Sequence, residues 1–116
     1  MSNLSDLLPS GAGGKSFDFV ASGTLANGQT VGLTSDGKVE AISASNVTSF
    51  VGITEAAISN TATGAVTLQG GINTSVTGLT IGSTYYVQND GTLGTGSTSI
   101  VAGEALSATS INLVNT

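Results

Sequence analysis

The chain has 116 residues, 17 of them glycine, with no cysteine, no histidine, and a formal net charge of −5 in which Lys15 and Lys38 are the only cations. That length fits one domain with a modest core. The missing Cys and His exclude disulfides, thiolate metal sites and imidazole chemistry, and the negative balance repels phosphate backbones and anionic membrane surfaces, which excludes nucleic acid and membrane as partners. Charged residues are 8% of the chain against about 25% in an average globular protein, so uncharged Ser, Thr and Asn must solvate the surface. Each glycine inside a strand costs roughly 0.5–1 kcal/mol relative to alanine. With three Phe, two Tyr and no Trp to offset that, the core is expected to be completed by homo-oligomerisation.

Residues 1–14 stand apart from the rest. Leu4, Leu7 and Leu8 fall on one side of a single helical turn that Pro9 stops, and Ser10-Gly11-Ala12-Gly13-Gly14 follows as a flexible leash. The opening MSNLSDLLPSGAGGK has neither the basic nor the apolar region of a secretory signal, and no apolar run approaches a membrane span. The expected organisation is an apolar N-terminal arm over 1–14 and a single β-domain over 15–116.

Strands are predicted at 17–21, 30–34, 38–42, 50–54, 65–69, 84–88, 100–106 and 110–114, with turn chemistry between them at Asn27-Gly28, Asp36-Gly37, Gly70-Gly71, Gly78, Gly82 and Asp90-Gly91. Phe17 and Phe19 alternate about Asp18, and Val31 and Leu33 share a face, as do Tyr85 and Val87. Residues 25–39 (LANGQTVGLTSDGKV) and 79–93 (LTIGSTYYVQNDGTL) repeat one pattern: Leu25/Leu79, Gly28/Gly82, Thr30/Thr84, Asp36/Asp90 and Gly37/Gly91 recur at one offset. Each copy reads as a hairpin closed by an Asp-Gly type I′ turn. A weaker echo, Phe50-Val51-Gly52-Ile53 against Ile100-Val101-Ala102-Gly103, follows at an offset near fifty, with Glu104 in place of Ile53. No segment keeps a 3.6-residue period. The fold class is all-β: a compact antiparallel β-sandwich or small β-barrel with a duplicated hairpin.

Chemistry-bearing groups are sparse. Gly14-Lys15-Ser16 resembles the end of a phosphate-binding loop, but Pro9 stands where that loop needs glycine, and the flanking strand and helix are absent from the pattern. Asp36 and Asp90 are accounted for by their turns, and each stands singly rather than in a calcium loop. Among Asp18, Glu40, Glu55 and Glu104, Glu55 and Glu104 follow corresponding strands and would approach each other about a pseudo-twofold, the minimum for two-carboxylate glycoside hydrolysis; a solvated rim is the stronger reading. Asn3, Asn46 and Asn73 match the N-x-Ser/Thr pattern, as chance alone provides in so Ser/Thr-rich a chain. Alternation turns Tyr85 inward and Tyr86 outward, so Tyr86 is a candidate contact residue. No catalytic residue, cofactor or metal ligand is expected.

The run LSDLLPSGAGGKSFDFVASGTLANGQTVGLTSDGKV resembles the opening of small β-rich structural proteins of tailed bacteriophages, particularly cyanophages. GLTIGSTYYVQNDGTLGTG, closing on VAGEALSATSINL, resembles a segment found in head decoration proteins and tail-fibre-like modules. The resemblance implies a trimeric virion protein, assembled in the host cytoplasm and carried on the outer capsid surface. Its expected function is that of a capsid decoration (cement) protein bridging major capsid subunits. A tail-fibre or baseplate-associated module and a carbohydrate-binding module are the alternatives. The expected interface residues are Leu4, Leu7, Leu8, Pro9 and Tyr86; Asn27, Gly28, Asp36, Gly37, Gly82, Asp90 and Gly91 are expected to be structural.

Overall fold

The structure, a computed structural model, describes residues 16–113; Leu4, Leu7, Leu8 and Pro9 of the arm lie outside them. Ten strands alternate with turns: β1 (Ser16–Val20), β2 (Thr30–Leu33), β3 (Val39–Ala41), β4 (Phe50–Thr54), β5 (Thr63–Leu68), β6 (Ile72–Asn73), β7 (Thr84–Val87), β8 (Leu93–Gly94), β9 (Val101–Ser107) and β10 (Ser110–Leu113). They form two five-stranded sheets, ordered β1-β5-β4-β2-β3 and β6-β10-β9-β7-β8, with every ladder antiparallel. The sheets do not close into a barrel; they stack as a sandwich. Adding five to each strand of the first order yields the second, so the duplication seen in the two hairpins extends to the whole domain.

Register makes the equivalence residue-specific. Thr30 faces Ile53 and Ile53 faces Thr67, which faces Ser16; Thr84 faces Glu104, Glu104 faces Asn112, and Asn112 faces Ile72. The bulge between Val31 and Gly32 recurs between Tyr85 and Tyr86. Gly52 therefore corresponds to Gly103, an offset of 51 (103 − 52), which corrects by one residue the pairing that the sequence echo suggests. From β5 to β10 the offset is 45 (113 − 68), so the second repeat is six residues shorter between its last two strands (51 − 45 = 6).

Burial shows how the sheets are layered. In β4 the consecutive residues Gly52, Ile53 and Thr54 are all buried, which successive side chains on opposite faces permit only when both faces are covered. In β9, Glu104 and Leu106 are exposed on either side of the buried Ala105, the alternation of a strand with one wet face. The first sheet is thus a middle layer. Its front packs Val31, Val39 and Val66 against Ala21, Leu25 and Ile58. Its back contributes Ile53, joined by Ile42 from just beyond β3, to a second cluster with Val76, Tyr85, Val87, Ala102, Ala105, Ile111 and Leu113. Tyr85 and Ile111 are the counterparts of Val31 and Val66, so the front of the second repeat packs on the back of the first.

The six-residue difference explains this arrangement. In the first repeat, residues 55–62 make an excursion between β4 and β5 that brings Ile58 over the front, where Leu25 and Ile58 exchange backbone hydrogen bonds of 2.8 and 3.0 Å. In the second repeat β9 turns directly through Ala108 and Thr109, and Leu79, the counterpart of Leu25, donates its N–H to the Ala108 carbonyl at 3.0 Å. No equivalent of Ile58 remains to cover that front; the first sheet covers it instead. Where nothing stacks, the alternation read from sequence yields exposed residues: Leu33 is 43% exposed whereas its counterpart Val87 is fully buried, and Phe17, expected to face the core, is 62% exposed against a buried Asn73. Strands β6 and β8 have two residues each, too short for a period of two to declare itself.

Candidate functional site

The two Asp-Gly turns are not type I′. Gly37 and Gly91 take positive φ, 83° and 86°, but Asp36 and Asp90 do not. Gly37 N–H donates to the Thr34 carbonyl at 3.1 Å and Thr34 N–H to that of Lys38 at 2.8 Å; Gly91 N–H donates to Gln88 and Gln88 N–H to Thr92, both at 2.9 Å. Each loop is thus a three-residue connection, a type I turn followed by glycine in the left-handed region. The Asp carboxylates are consumed locally. Asp36 accepts from the Thr34 hydroxyl, and Lys38 lies 3.8 Å away; Asp90 Oδ1 accepts from the Thr92 hydroxyl at 2.7 Å and its N–H at 3.1 Å. These bonds favour the ionised form, chiefly through the threonine hydroxyl in each case, and hold both carboxyls below the usual aspartate value.

The four turns differ in where they point. Gly37 and Gly82 face open space, whereas Gly28 and Gly91 are pressed between the repeats: a Cβ on Gly28 would intrude on the Ser75 carbonyl, and one on Gly91 would stand 2.8 Å from the Ile42 carbonyl oxygen. The Thr30 hydroxyl spans the joint to the Gly91 carbonyl. Around this contact lies an open cleft of about 510 Å³, lined by Asn27, Gln29, Val76, Tyr85, Asp90 and Thr92 among others. Two of its polar side chains are already engaged: Gln29 Oε1 accepts from Ala26 N–H at 2.9 Å, and the Tyr85 hydroxyl accepts from Thr80 N–H at 2.8 Å. Asp90 is the one acidic residue in the lining.

Other residues singled out from the sequence are dispersed. The repeats stack back to front rather than about a twofold, so equivalent positions are not brought face to face. Glu55 Oε2 accepts from the Thr67 hydroxyl at 2.8 Å, while Glu104 projects from the outer face of the second sheet between Thr84 and Asn112. Among the described residues no three Asp or Glu side chains gather as a metal site would require. Tyr86 lies half-buried on β7, opposite Gly94 and Val101, and points away from Tyr85 as expected.

Sequence reasoning missed the polar joint between the sheets. Asn73, fully buried, shares its Nδ2 among the Ile53 carbonyl at 3.2 Å, the Thr54 carbonyl at 3.1 Å and the Thr67 hydroxyl at 3.2 Å, while its Oδ1 accepts from Ser75 N–H at 2.8 Å. Thr54 Oγ1 in turn donates to the Ala26 carbonyl at 2.7 Å and accepts from Gln29 N–H at 2.9 Å. A buried amide with every atom engaged locks the two sheets in one register. Its burial also removes Asn73 as a glycan acceptor. The only sequence signal was a lone Asn following Gly70-Gly71, which reads equally as a turn. Compared with protein-family models, curated proteins and solved structures, the chain finds no match.

Proposed function

We propose that this chain is a non-catalytic structural protein of a tailed-phage virion: a capsid decoration protein that sits as a homotrimer on the outer face of the head and bridges major capsid subunits. The observation that carries the reading is how its side chains are allotted. Asp36 and Asp90 are bonded within their turns, and Asn73 and Thr54 at the joint, while Phe17, Leu33, Ile72, Ile81 and Leu106 present apolar surface to solvent on a chain with few charges. Such a molecule acts through contact area. The resemblance of its hairpin segments to phage head and tail proteins supplies the setting.

The mechanism is mass action. A protein that binds only the assembled lattice stabilises it by RT ln(1 + [L]/Kd) per site, about 2.7 kcal/mol at a free concentration of 100 Kd. The test is co-sedimentation of purified protein with empty expanded heads of a tailed phage that encodes it, together with native mass measurement. Saturable binding at a fixed ratio to capsid subunits and a trimeric mass are expected. Absence of head binding with retention on tail fibres or baseplates would replace this reading by the tail alternative. The cleft of about 510 Å³ favours one second reading, a carbohydrate-binding module, which predicts glycan-array binding that Asn27→Ala and Asp90→Ala both abolish.

A further inference from the structure

Three dipeptides of this chain can close a cyclic imide, because in each an unshielded glycine nitrogen follows a side chain that ends in a carbonyl carbon: Asn27-Gly28, Asp36-Gly37 and Asp90-Gly91. The fold treats them differently. Gly37 N–H donates to the Thr34 carbonyl at 3.1 Å and Gly91 N–H to the Gln88 carbonyl at 2.9 Å, so both nitrogens are committed to their turns. The threonine hydroxyls also favour the carboxylate over the acid at both aspartates, and a carboxylate resists a nucleophile. Asn27-Gly28 has neither protection. Asn27 is exposed, it is the one asparagine of the sequence followed by glycine, and its amide carries no charge to repel attack. Among the described residues Gly28 N–H has no acceptor, because this turn is held by other groups: Ala26 N–H donates to Gln29 Oε1 at 2.9 Å, and the Thr54 hydroxyl stands between the Ala26 carbonyl (2.7 Å) and Gln29 N–H (2.9 Å).

We propose that Asn27-Gly28 is a site of self-modification, at which deamidation places a carboxylate in the joint between the repeats and loosens it as the protein ages. The Gly28 nitrogen gives its proton to hydroxide and attacks Asn27 Cγ; a C–N bond forms, the bond from Cγ to Nδ2 breaks, and Nδ2 takes a proton from water and leaves as ammonia. Water then opens the imide. Hydrolysis at Cγ leaves aspartate in the original chain, whereas hydrolysis at the main-chain carbonyl leaves an isoaspartyl link, in which the backbone runs through Cβ and Cγ and is one atom longer. The surroundings of the turn give both products an effect. Gly28 is pressed so closely on the Ser75 carbonyl that even a methyl group would collide with it, which leaves no room for a longer backbone. Either product also adds a negative charge to a cleft that Asn27 and Asp90 line together, and like charges facing each other across the joint oppose its closure. The inference rests on the fold and not on the virion reading.

The test is ageing of the full chain in mildly alkaline buffer at body temperature, folded and unfolded in urea, followed by peptide mapping with mass spectrometry and isoaspartyl methyltransferase labelling. In the folded protein Asn27 is expected to convert at least about ten-fold faster than Asn46 or Asn112, a barrier difference of about 1.4 kcal/mol, at a rate that rises with pH and stays close to the rate in urea. Asp36 and Asp90, whose glycine nitrogens are bonded, should form isoaspartate faster in urea than in the fold. Conversion of Asn27 in the folded protein no faster than that of Asn46 would overturn the proposal. The converted fraction, separated by its added charge, should unfold at a lower urea concentration than fresh protein, while Asn27→Gln aged alongside keeps its midpoint, its longer side chain closing a less favourable ring. An unchanged midpoint in fully converted protein, or an equal fall in Asn27→Gln, would overturn the loosening of the joint.

Discussion

Each repeat carries the same two turns, yet only one member of each pair touches the other repeat, so glycine-to-alanine substitution weighs the joint against an internal control. All four glycines, Gly28, Gly37, Gly82 and Gly91, have φ between 71° and 86°, and placing alanine in that region costs roughly 1–2 kcal/mol wherever it occurs. At Gly37 and Gly82 nothing else is added, because the new methyl meets open space. At Gly91 the methyl would stand 2.8 Å from the Ile42 carbonyl oxygen, 0.6 Å inside the 3.4 Å at which ordinary contact begins, and the obstruction is backbone that cannot rotate aside. Overpacking of this kind adds about 1–3 kcal/mol. Gly91→Ala should therefore cost about 2–5 kcal/mol against about 1–2 for Gly37→Ala, and Gly28→Ala should exceed Gly82→Ala by at least as much. Urea denaturation with a common m value measures this, a difference of 2 kcal/mol moving the midpoint by about 1 M. Equal losses within each pair would refute the packing of the turns against the opposite repeat.

The other expectations follow from the joint and the turns. Asn73→Ala should cost about 2–4 kcal/mol in urea melts, since two carbonyls and a hydroxyl lose a buried donor, and Asn73→Asp should be worse at neutral pH because it aims a charge at three oxygens; a loss under 1 kcal/mol for both would contradict the locked joint. Gly52→Ala and Gly103→Ala should each destabilise strongly, because a Cβ at either would collide with a carbonyl oxygen of the neighbouring strand, Thr67 or Asn112; near-wild-type midpoints would show the strands to be spaced more widely. Asp36 and Asp90 have carboxyl pKa values lowered from 3.8, so their contribution is present above pH 3.8 and is lost as pH falls through the lowered folded values. Asp90→Asn should accordingly shallow the loss of stability below about pH 4 by a small amount, the group being fully exposed; an unchanged or steeper acid limb would count against the Thr92 bonds.

What sequence made legible was whatever a short window contains. The two hairpins, the inward Tyr85 and Val87, and eight of the ten strands follow from alternation and turn residues, because both signals are local. The turn type was not legible: Asp-Gly announces a reversal, but whether it closes a two- or three-residue loop depends on which residues the flanking strands pair. Nor was the stacking sense. The duplication left open a pseudo-twofold that would bring Glu55 near Glu104, behind the stronger reading of a solvated rim, whereas a six-residue difference between β4–β5 and β9–β10 decides which faces meet. Phe17 and Leu33 carry the pattern of core residues at positions where the fold supplies no cover. Asn73 was silent because what distinguishes it, four bonds at zero exposure, involves partners on both repeats.

The excursion of residues 55–62 also sets a direction in time. With Ile58 over its front, the first repeat owns a closed apolar cluster made entirely of its own residues, so one of its two faces can close once residue 68 has been made. The second repeat does not: its cluster draws Ile42 and Ile53 from the first, and Asn73 finds acceptors only on strands already laid down. Synthesis from the N-terminus therefore delivers a template before the part that must be moulded on it. A circular permutant that emerged with residues 72–113 first would present that sheet with no surface to form against, and would be the slower and more aggregation-prone chain although every native contact remained available to it.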